Sequence, residues 1–199
     1  MQQIPFPNFG KNIEAGVLRG NVNAGLDFPV QVMNQVHGAD IWEVEGYGTP
    51  RECDAMISRV PGVKLMVRTA DCIPLVLAGG GVVAAVHAGW RSLVADIIPK
   101  TIAAMGVDPA QIKVGIGPSL GFECSEFSDP ENEIPEKYHW AIEGDRVDLN
   151  LIADRQLEDA GVLAENIHRM EICTKCDPEW FSWRRDKTEE RFGTWIMML

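Results

Sequence analysis

The sequence predicts an α+β fold with mixed sheets, and three features support this class. Two almost continuously apolar runs, residues 73–78 and 82–86, flank the glycines at 79–81 and are typical of a β-hairpin buried on both faces. Residues 93–105 and 149–160 carry apolar side chains at helical spacing. The predicted strands and helices alternate irregularly along the chain, which favours α+β with mixed sheets.

Short strands are predicted upstream of the hairpin. Apolar composition and weak alternation indicate strands at residues 17–18, 26–30, 32–36, 41–44 and 64–69, with a further short apolar segment at 54–58. His37 and Gly38 lie in the turn between the third and fourth of these strands. The strand at 64–69 leads directly into Asp71 and Cys72.

Helices and strands also follow the hairpin. Leu93, Ile97, Ile98, Ile102 and Met105 share one helix face, Pro99 predicts a kink or break, and Gly106 predicts the helix end. A second amphipathic helix is expected at 149–160, ending at Gly161. Strands are expected at 112–116, 167–172 and 194–199, a solvated loop at 129–135, and a loop with aromatic residues at 173–187.

Length and composition favour one domain covering residues 1–199, because 199 residues are sufficient for one substantial core. The net charge of −11 disfavours nucleic-acid partners, whose phosphates require a basic surface. No apolar run approaches the roughly 20 residues that a membrane helix needs. The first ten residues do not resemble a signal peptide, so we expect a cytoplasmic protein with five reduced cysteines.

The hairpin places chemistry-bearing residues at its open end. Cys72 precedes the first strand and His87 ends the second, so folding brings a thiol and an imidazole together. His37, in the turn at 34–38, is a plausible third member. Two imidazoles and a thiolate suit Zn²⁺, and three protein ligands leave a fourth position open. From composition and spacing alone, the favoured interpretation is a core cysteine and two hydrogen-bonded histidines.

Other residues have two interpretations each. Cys173 and Cys176 form a CxxC pair that we expect to be two free thiols on a loop, unnecessary for zinc. Arg184 and Arg185 lie beside Trp183, where they could bind phosphate or form a surface ion pair. Arg91 directly follows Trp90 and lies near His87, which places it better for a catalytic role than most arginines of the chain. Arg68 precedes Asp71 by three residues, Cys124 follows a glycine-rich turn, and His139 and His168 are expected to be non-ligands.

An ordered set of short motifs resembles the YfiH family, named multicopper polyphenol oxidoreductase or laccase-domain proteins. The matching segments are NQVHG at 34–38, CDAM at 53–56, TADCIPLVL at 69–77, VAAVHAGWR at 83–91, VGIGPSLG at 114–121 and FSWRRD at 181–186. The resemblance implies a layered α/β sandwich with two mixed sheets flanked by helices. It also implies a zinc-dependent purine nucleoside phosphorylase with adenosine deaminase activity.

By the same resemblance, His37, Cys72 and His87 match the metal ligands. Arg91 and Cys124 fall at family positions, and with Asp71 they are the catalytic candidates. Arg68, Arg184 and Arg185 are the candidates for binding a purine nucleoside and phosphate. The chain departs from the family pattern in residues 9–33, which lack a GGVS-like segment and a later Asn-Arg. It also reads Thr188-Glu189-Glu190-Arg191 where the family has TGR, so part of the substrate pocket is expected to be reshaped.

Three alternatives to the zinc enzyme remain. A copper phenol oxidase is disfavoured, because multicopper sites need many imidazoles and the chain has four histidines. A cysteine hydrolase would use Cys72 as nucleophile with His87 or His37 as base, for example in editing peptidoglycan precursors. A non-enzymatic binding role is the third. Asp71 could orient a histidine ligand or move a proton.

Overall fold

The computed structural model describes residues 1–199 and contains twelve strands and five α-helices. The strands are β1 Gln2–Pro5, β2 Ile13–Arg19, β3 Ile41–Glu43, β4 Ala55–Ser58, β5 Leu65–Thr69, β6 Ile73–Gly79, β7 Val82–Ala88, β8 Lys113–Ile116, β9 Ile142–Glu143, β10 Arg146–Val147, β11 Ile167–Arg169 and β12 Phe192–Met198. The helices are α1 Trp90–Val94, α2 Ile97–Met105, α3 Pro130–Glu133, α4 Leu149–Asp159 and α5 Trp183–Asp186.

Two sheets carry the fold, which confirms the predicted α+β class. The six-stranded sheet has the order β11-β8-β6-β7-β4-β3 and is mixed, because β11/β8 and β3/β4 pair in parallel while the other pairs are antiparallel. The four-stranded sheet has the order β1-β2-β12-β5, and its strands pair antiparallel. Strands β9 and β10 form a separate small hairpin.

The β6–β7 hairpin is buried on both faces, as predicted, and it separates two cores. Side chains on successive residues of a strand point to opposite faces of its sheet. Val82, Ala84 and Val86 therefore belong to a core shared with α1, α2 and α4, whereas Val83 and Ala85 pack in a second core with the four-stranded sheet. The result is three layers: helices, the six-stranded sheet and the four-stranded sheet.

The helix after the hairpin breaks, but not at the predicted residue. Helix α1 ends at Val94 and α2 begins at Ile97, with Asp96 between them at φ +62°. Pro99 lies in the first turn of α2, where its missing N–H removes no intrahelical bond. The prediction of a kink at Pro99 was therefore wrong by three residues. Gly106, at φ +66°, ends α2 as expected.

The strands predicted at 26–30 and 32–36 are absent. Between residues 26 and 36 the backbone makes only isolated bridges, from Gln31 to Leu65 and from Asn34 to Glu52. This segment is apolar for another reason: its side chains cover the outer face of the four-stranded sheet, packing around Leu18 and Trp195. A segment that covers a sheet needs the same apolar composition as a strand.

Other boundaries shift modestly. Residues 129–135 contain the single-turn helix α3, and 173–187 contain α5, where loops were expected. Strand β11 is shorter than the predicted 167–172, and β1, β9 and β10 were not predicted. Helix α4 begins as its sequence indicates, because the Asp148 carboxylate accepts a hydrogen bond from the N–H of Leu151 at 2.9 Å. None of the five helices combines the length and hydrophobicity that crossing a membrane requires.

Candidate metal centre and adjoining cavity

The hairpin fixes two of the three predicted metal ligands. Pro74 of β6 lies opposite His87 of β7, and Cys72 immediately precedes β6. The His87 side chain lies on the face of β7 that points toward the four-stranded sheet and is 2% exposed. Gly89 gives the third ligand room, because a Cβ there would lie 2.8 Å from Cδ2 of His37 and 3.3 Å from Sγ of Cys72.

A buried carboxylate, Asp54, holds both histidines. It accepts N–H hydrogen bonds from His37 at 3.0 Å and Gly38 at 2.6 Å, which stabilise the left-handed backbone of His37 at φ +61°. The same carboxylate lies 2.7 Å from Nδ1 of His87, which leaves Nε2 of that ring free as a ligand atom. Asp54 was not among the predicted site residues, although it lies within the CDAM motif.

The three ligand atoms of His37, Cys72 and His87 lie within 4.8 Å of one another. Sγ of Cys72 is 3.9 Å from Nε2 of His37, and the two imidazole rings meet edge to face with centroids 4.8 Å apart. Two ligands on tetrahedral Zn²⁺ lie about 3.5 Å apart, given metal–ligand bonds of roughly 2.0–2.3 Å. The donor set and its spacing fit a zinc ion with little movement, and Asp54 supplies the orienting contact that metal-bound histidines usually have.

The cluster is polarised toward a thiolate and an imidazolium. Burial would raise the pKa of Cys72, but the charge of His87 and hydrogen bonds from both histidines lower it to about 6. Burial would lower the pKa of His87, but the Cys72 thiolate and the Asp54 carboxylate raise it to about 9. Burial acts against ionisation of Asp54 as well, yet its bonds from His87, Gly38 and His37 hold its pKa below the usual value.

A cavity of about 560 Å³ opens over the cluster. Three arginines line it, Arg68, Arg184 and Arg191. Burial and the neighbouring charge of Arg191 both lower the pKa of Arg68, which shows that two cations lie close together there. The aromatic side chains in the lining are those of Trp90, Phe127 and Trp183. Arg191, in the departure from the family's TGR pattern, was not predicted as a site residue.

The segment at 9–33, which departs from the family pattern, still contributes to the cavity. Asn23 of this segment lines it. Oδ1 of Asn23 accepts a hydrogen bond from Arg68 at 3.3 Å, and its amide donates to the carbonyl of Glu189 at 2.9 Å. Asn23 thus connects the 188–191 segment to Arg68 in the cavity wall.

Asp71 lies in the cavity wall, but its carboxylate is occupied by other parts of the chain. Oδ1 accepts a hydrogen bond from the hydroxyl of Thr174 at 2.7 Å, and Oδ2 accepts one from the backbone N–H of Arg184 at 2.6 Å. Its backbone has a positive φ of +97°. The partner of His87 is therefore Asp54 and not Asp71, which had been considered for orienting a histidine.

Two of the predicted arginines do not line the cavity. The exposed Arg91 places its guanidinium over the ring of Trp90, 4.2 Å from the centroid. The guanidinium of Arg185 donates to the carbonyl oxygens of Thr174, Lys175, Asp177 and Trp180. Arg185 therefore stabilises the loop that follows Cys173. The catalytic role of Arg91 stays a prediction.

The remaining cysteines form a second cluster. Sγ of Cys124 lies 3.5 Å from Sγ of Cys176, and these two sulfurs and that of Cys173 all lie within 4.8 Å of one another. Cys124 does not line the cavity, so no contact supports the catalytic role predicted for it. The two other histidines are in neither cluster: His139 bonds to the carbonyl of Ile134, and His168 packs edge to face on Phe6.

The fold and the cluster define a two-sheet α+β protein with a candidate metal centre. Comparison with known proteins identifies the family to which such a protein belongs. A family model described as multi-copper polyphenol oxidoreductase laccase matches residues 14–199. A purine nucleoside phosphorylase of Xylella fastidiosa is 32% identical over 197 residues, covering 86% of this chain and 74% of its own. The Escherichia coli purine nucleoside phosphorylase YfiH is 34% identical over 180 residues, covering 84% and 73%.

Solved structures of other proteins share the fold of this chain. A Neisseria meningitidis protein shares the fold with a TM-score of 0.87 at 24% identity, covering 100% of this chain and 99% of its own. YlmD of Geobacillus stearothermophilus gives a TM-score of 0.79 at 26% identity, covering 97% and 94%. The chain belongs to the YfiH family of laccase-domain proteins.

Proposed function

We propose that this protein is a zinc-dependent purine nucleoside phosphorylase that also removes the amine of adenosine. The observation that carries the proposal is the cavity, which joins the His37–Cys72–His87 cluster to several arginines and aromatic rings in one space of about 560 Å³. A volume of this size suits a small-molecule ligand. The name of the relatives, purine nucleoside phosphorylase, supports the phosphorolysis part of the proposal.

The arginines would hold phosphate. Arg68, Arg184 and Arg191 line the cavity, and a planar guanidinium group can donate two parallel hydrogen bonds to phosphate oxygens. The proximity of Arg68 to Arg191 is electrostatically unfavourable, and a phosphate dianion between them would offset that repulsion. A phosphate oxygen then attacks the anomeric carbon of the ribose, the glycosidic bond breaks, and the purine leaves with its electron pair.

The aromatic side chains would orient the purine. The rings of Trp90 and Phe127 meet edge to face at 5.8 Å, and Trp183 lines the cavity beside Arg184. Flat apolar rings suit the faces of a purine and exclude water from the reacting bond. A Zn²⁺ ion held by His37, Cys72 and His87 would supply Lewis acidity toward a polar group of the substrate or a water molecule.

The test is a nucleoside screen on purified, zinc-loaded protein. Inosine and adenosine are incubated with and without phosphate, and base, ribose 1-phosphate and ammonia are quantified. We expect free base and ribose 1-phosphate only with phosphate present, and ammonia from adenosine in either condition. Release of free ribose without phosphate would contradict phosphorolysis, and adenosine that yields no ammonia would contradict the deaminase part.

A cysteine hydrolase is a second candidate, because a Cys72 thiol with a pKa of about 6 beside His87 resembles an activated nucleophile. The discriminating measurement is alkylation of Cys72 by iodoacetamide. A metal-ligand role predicts that zinc protects Cys72 and that metal-free protein is inactive. A nucleophile role predicts activity that survives metal removal and is lost on alkylation. Oxidation of phenols has less support, because the cluster contains only two imidazoles.

A further inference from the structure

The second cysteine cluster is assembled from distant parts of the chain. Cys124 lies in a short turn after Gly121 and is 6% exposed. Cys173 and the exposed Cys176 lie on the loop after β11, and the bridge between Ser119 and Cys173 holds the two segments side by side. Because 52 residues separate Cys124 from Cys176, their contact is a product of the fold and not of local sequence.

We propose that Cys124, Cys173 and Cys176 bind a second Zn²⁺ ion, which fixes the loop after β11 against the turn at Gly121. The site is separate from the His37–Cys72–His87 centre and does not depend on the proposed function. Three thiolates are soft ligands of the kind that select zinc, and structural zinc sites are dominated by cysteine.

The backbone around Cys173 is already arranged for a metal-bound thiolate. The N–H of Gly121 donates to Sγ of Cys173 at 3.3 Å, and the N–H groups of Lys175 and Cys176 also interact with this sulfur. The N–H groups of Cys176 and Asp177 donate to the carbonyl of Cys173 at 3.2 and 3.0 Å, which folds the CxxC segment into a tight turn. The turn brings its two sulfurs to the same side, facing Cys124.

Gly121 permits this close approach. A Cβ at residue 121 would lie 3.2 Å from Cβ and 3.4 Å from Sγ of Cys173, closer than neighbouring side chains usually pack. The N–H of residue 121 could not reach the sulfur as easily if a side chain pushed the two segments apart. The glycine is therefore part of the arrangement that presents Cys173 to the cluster.

A disulfide between Cys124 and Cys176 is the competing use of these thiols. It would require the sulfurs to close from 3.5 Å to about 2.05 Å, and it would leave Cys173 unpaired. Three converging sulfurs, one of them supported by several N–H donors, are better explained by a metal ion than by a two-cysteine bond. The disulfide is an outcome that the experiment distinguishes.

The second site would act on the cavity through Thr174. Thr174 lies between the two cysteines of the CxxC segment, is fully buried, and donates its hydroxyl hydrogen bond to Asp71 at 2.7 Å. Arg185 binds four carbonyl oxygens of the same loop. An ion at the cysteine cluster therefore fixes a segment that contacts the residue next to Cys72.

The experiment measures zinc stoichiometry by elemental analysis after the reduced protein is saturated with Zn²⁺ and freed of excess metal. We expect about two equivalents in the wild type and about one in either Cys176→Ser or Cys72→Ser. Cys53→Ala is the matched control: it also removes a thiol, but Cys53 is buried beside Met33, outside both clusters, so zinc content should not change. Because Cys176 is exposed, Cys176→Ser should fold normally.

Two further measurements keep the proposal testable. In the Cys72→Ser background, Co²⁺ should give the thiolate-to-metal charge-transfer absorption, and adding Cys176→Ser should reduce it. Hydrogen exchange of residues 173–186 should slow when Zn²⁺ binds to the Cys72→Ser protein. One equivalent of zinc in the wild type with no change in Cys176→Ser would overturn the proposal. So would a Cys124–Cys176 disulfide in protein that takes up no second ion, seen by intact mass before and after reduction.

Discussion

Oδ1 of Asp54 lies 2.7 Å from Nδ1 of His87, and both side chains are almost completely buried. The same carboxylate accepts the backbone N–H groups of His37 and Gly38. One acid thus orients the ring of one candidate ligand and the backbone of another, although Asp54 itself has no free position toward the cavity. The arrangement makes the geometry of the metal centre depend on a residue that is not a ligand.

Replacing Asp54 should weaken zinc binding without removing a ligand. Asp54→Asn keeps the shape but removes the charge and one acceptor position, so we expect zinc affinity to fall by roughly 10- to 100-fold. Competition with a chromophoric chelator measures the change. Asp40→Asn is the control, because that exposed acid is close in sequence and makes no side-chain hydrogen bond. Equal affinities for Asp54→Asn and wild type would show that the carboxylate has only a folding role.

Metal binding should release protons in a pH-dependent number. At pH 7 Cys72, with a pKa of about 6, is mostly thiolate, and His87, with a pKa of about 9, is mostly imidazolium. Because a metal ligand must be a neutral imidazole, zinc should displace about one proton from this pair. Below pH 6 the Cys72 thiol is protonated, so zinc binding should release a second proton and zinc affinity should fall. Above pH 9 the number of protons released should approach zero.

Calorimetric titration with Zn²⁺ in buffers of different ionisation enthalpy gives the proton count directly. The titration uses the Cys176→Ser protein, in which only the His37–Cys72–His87 centre is expected to bind the ion. A proton count that does not change between pH 5 and pH 9 would contradict the thiolate–imidazolium description of this centre.

The sequence predicted the hairpin and its ligands because their signals are local. Continuous apolar runs around three glycines mark β6 and β7, and Cys72 and His87 lie directly at their ends. Asp54 carried no such signal. An acid is ordinarily a surface residue, and only the convergence of N–H groups from residues 36–38 makes a fully buried carboxylate favourable there.

Other features could not be predicted from the sequence because they depend on contacts between distant segments. Cys124 meets the CxxC segment across 52 residues, so those cysteines could be predicted only as free thiols. The apolar segments at 26–30 and 32–36 resemble strands in sequence, because a segment that covers a sheet has the same apolar composition as a strand. Arg191 reaches the cavity from a segment whose motif departs from the family pattern.

The arginines of the cavity should determine phosphate affinity. Arg68→Ala removes hydrogen bonds worth about 1.5–3 kcal/mol each when they involve charged groups, so KM for phosphate should rise roughly 10- to 150-fold. Steady-state kinetics with varied phosphate measures it, and zinc content should not change. Arg155→Ala, which removes a surface ion pair on α4, should leave KM unchanged.

The Arg91→Ala variant tests whether phosphate binds at Arg91, the catalytic candidate from the sequence, or at the arginines that line the cavity. If the cavity arginines hold phosphate, Arg68→Ala and Arg184→Ala will raise KM for phosphate more than Arg91→Ala does. A larger effect of Arg91→Ala would place the anion beside Arg91, which does not line the cavity.

Thr174 should stabilise the cavity wall through Asp71. Thr174→Val removes the hydroxyl that donates to the Asp71 carboxylate and should cost about 1.5–3 kcal/mol of unfolding free energy. Urea denaturation monitored by tryptophan fluorescence gives the value. Thr101→Val is the matched control: its buried hydroxyl donates to a carbonyl within its own helix, so a smaller loss is expected. Losses of equal size would mean that the carboxylate adds nothing to this bond.

Strand β12 lies between β2 and β5 and hydrogen-bonds to both. During synthesis from the N-terminus, β2 and β5 are complete long before residues 192–198 appear. Until then both strands have an unpaired edge, and the apolar face of the hairpin that carries His87 has no second sheet against it. The nascent chain thus exposes a vacant strand position, where a chaperone that grips extended peptides, or another copy's β12, can pair. Arrival of β12 closes this position and ends the period of greatest aggregation risk.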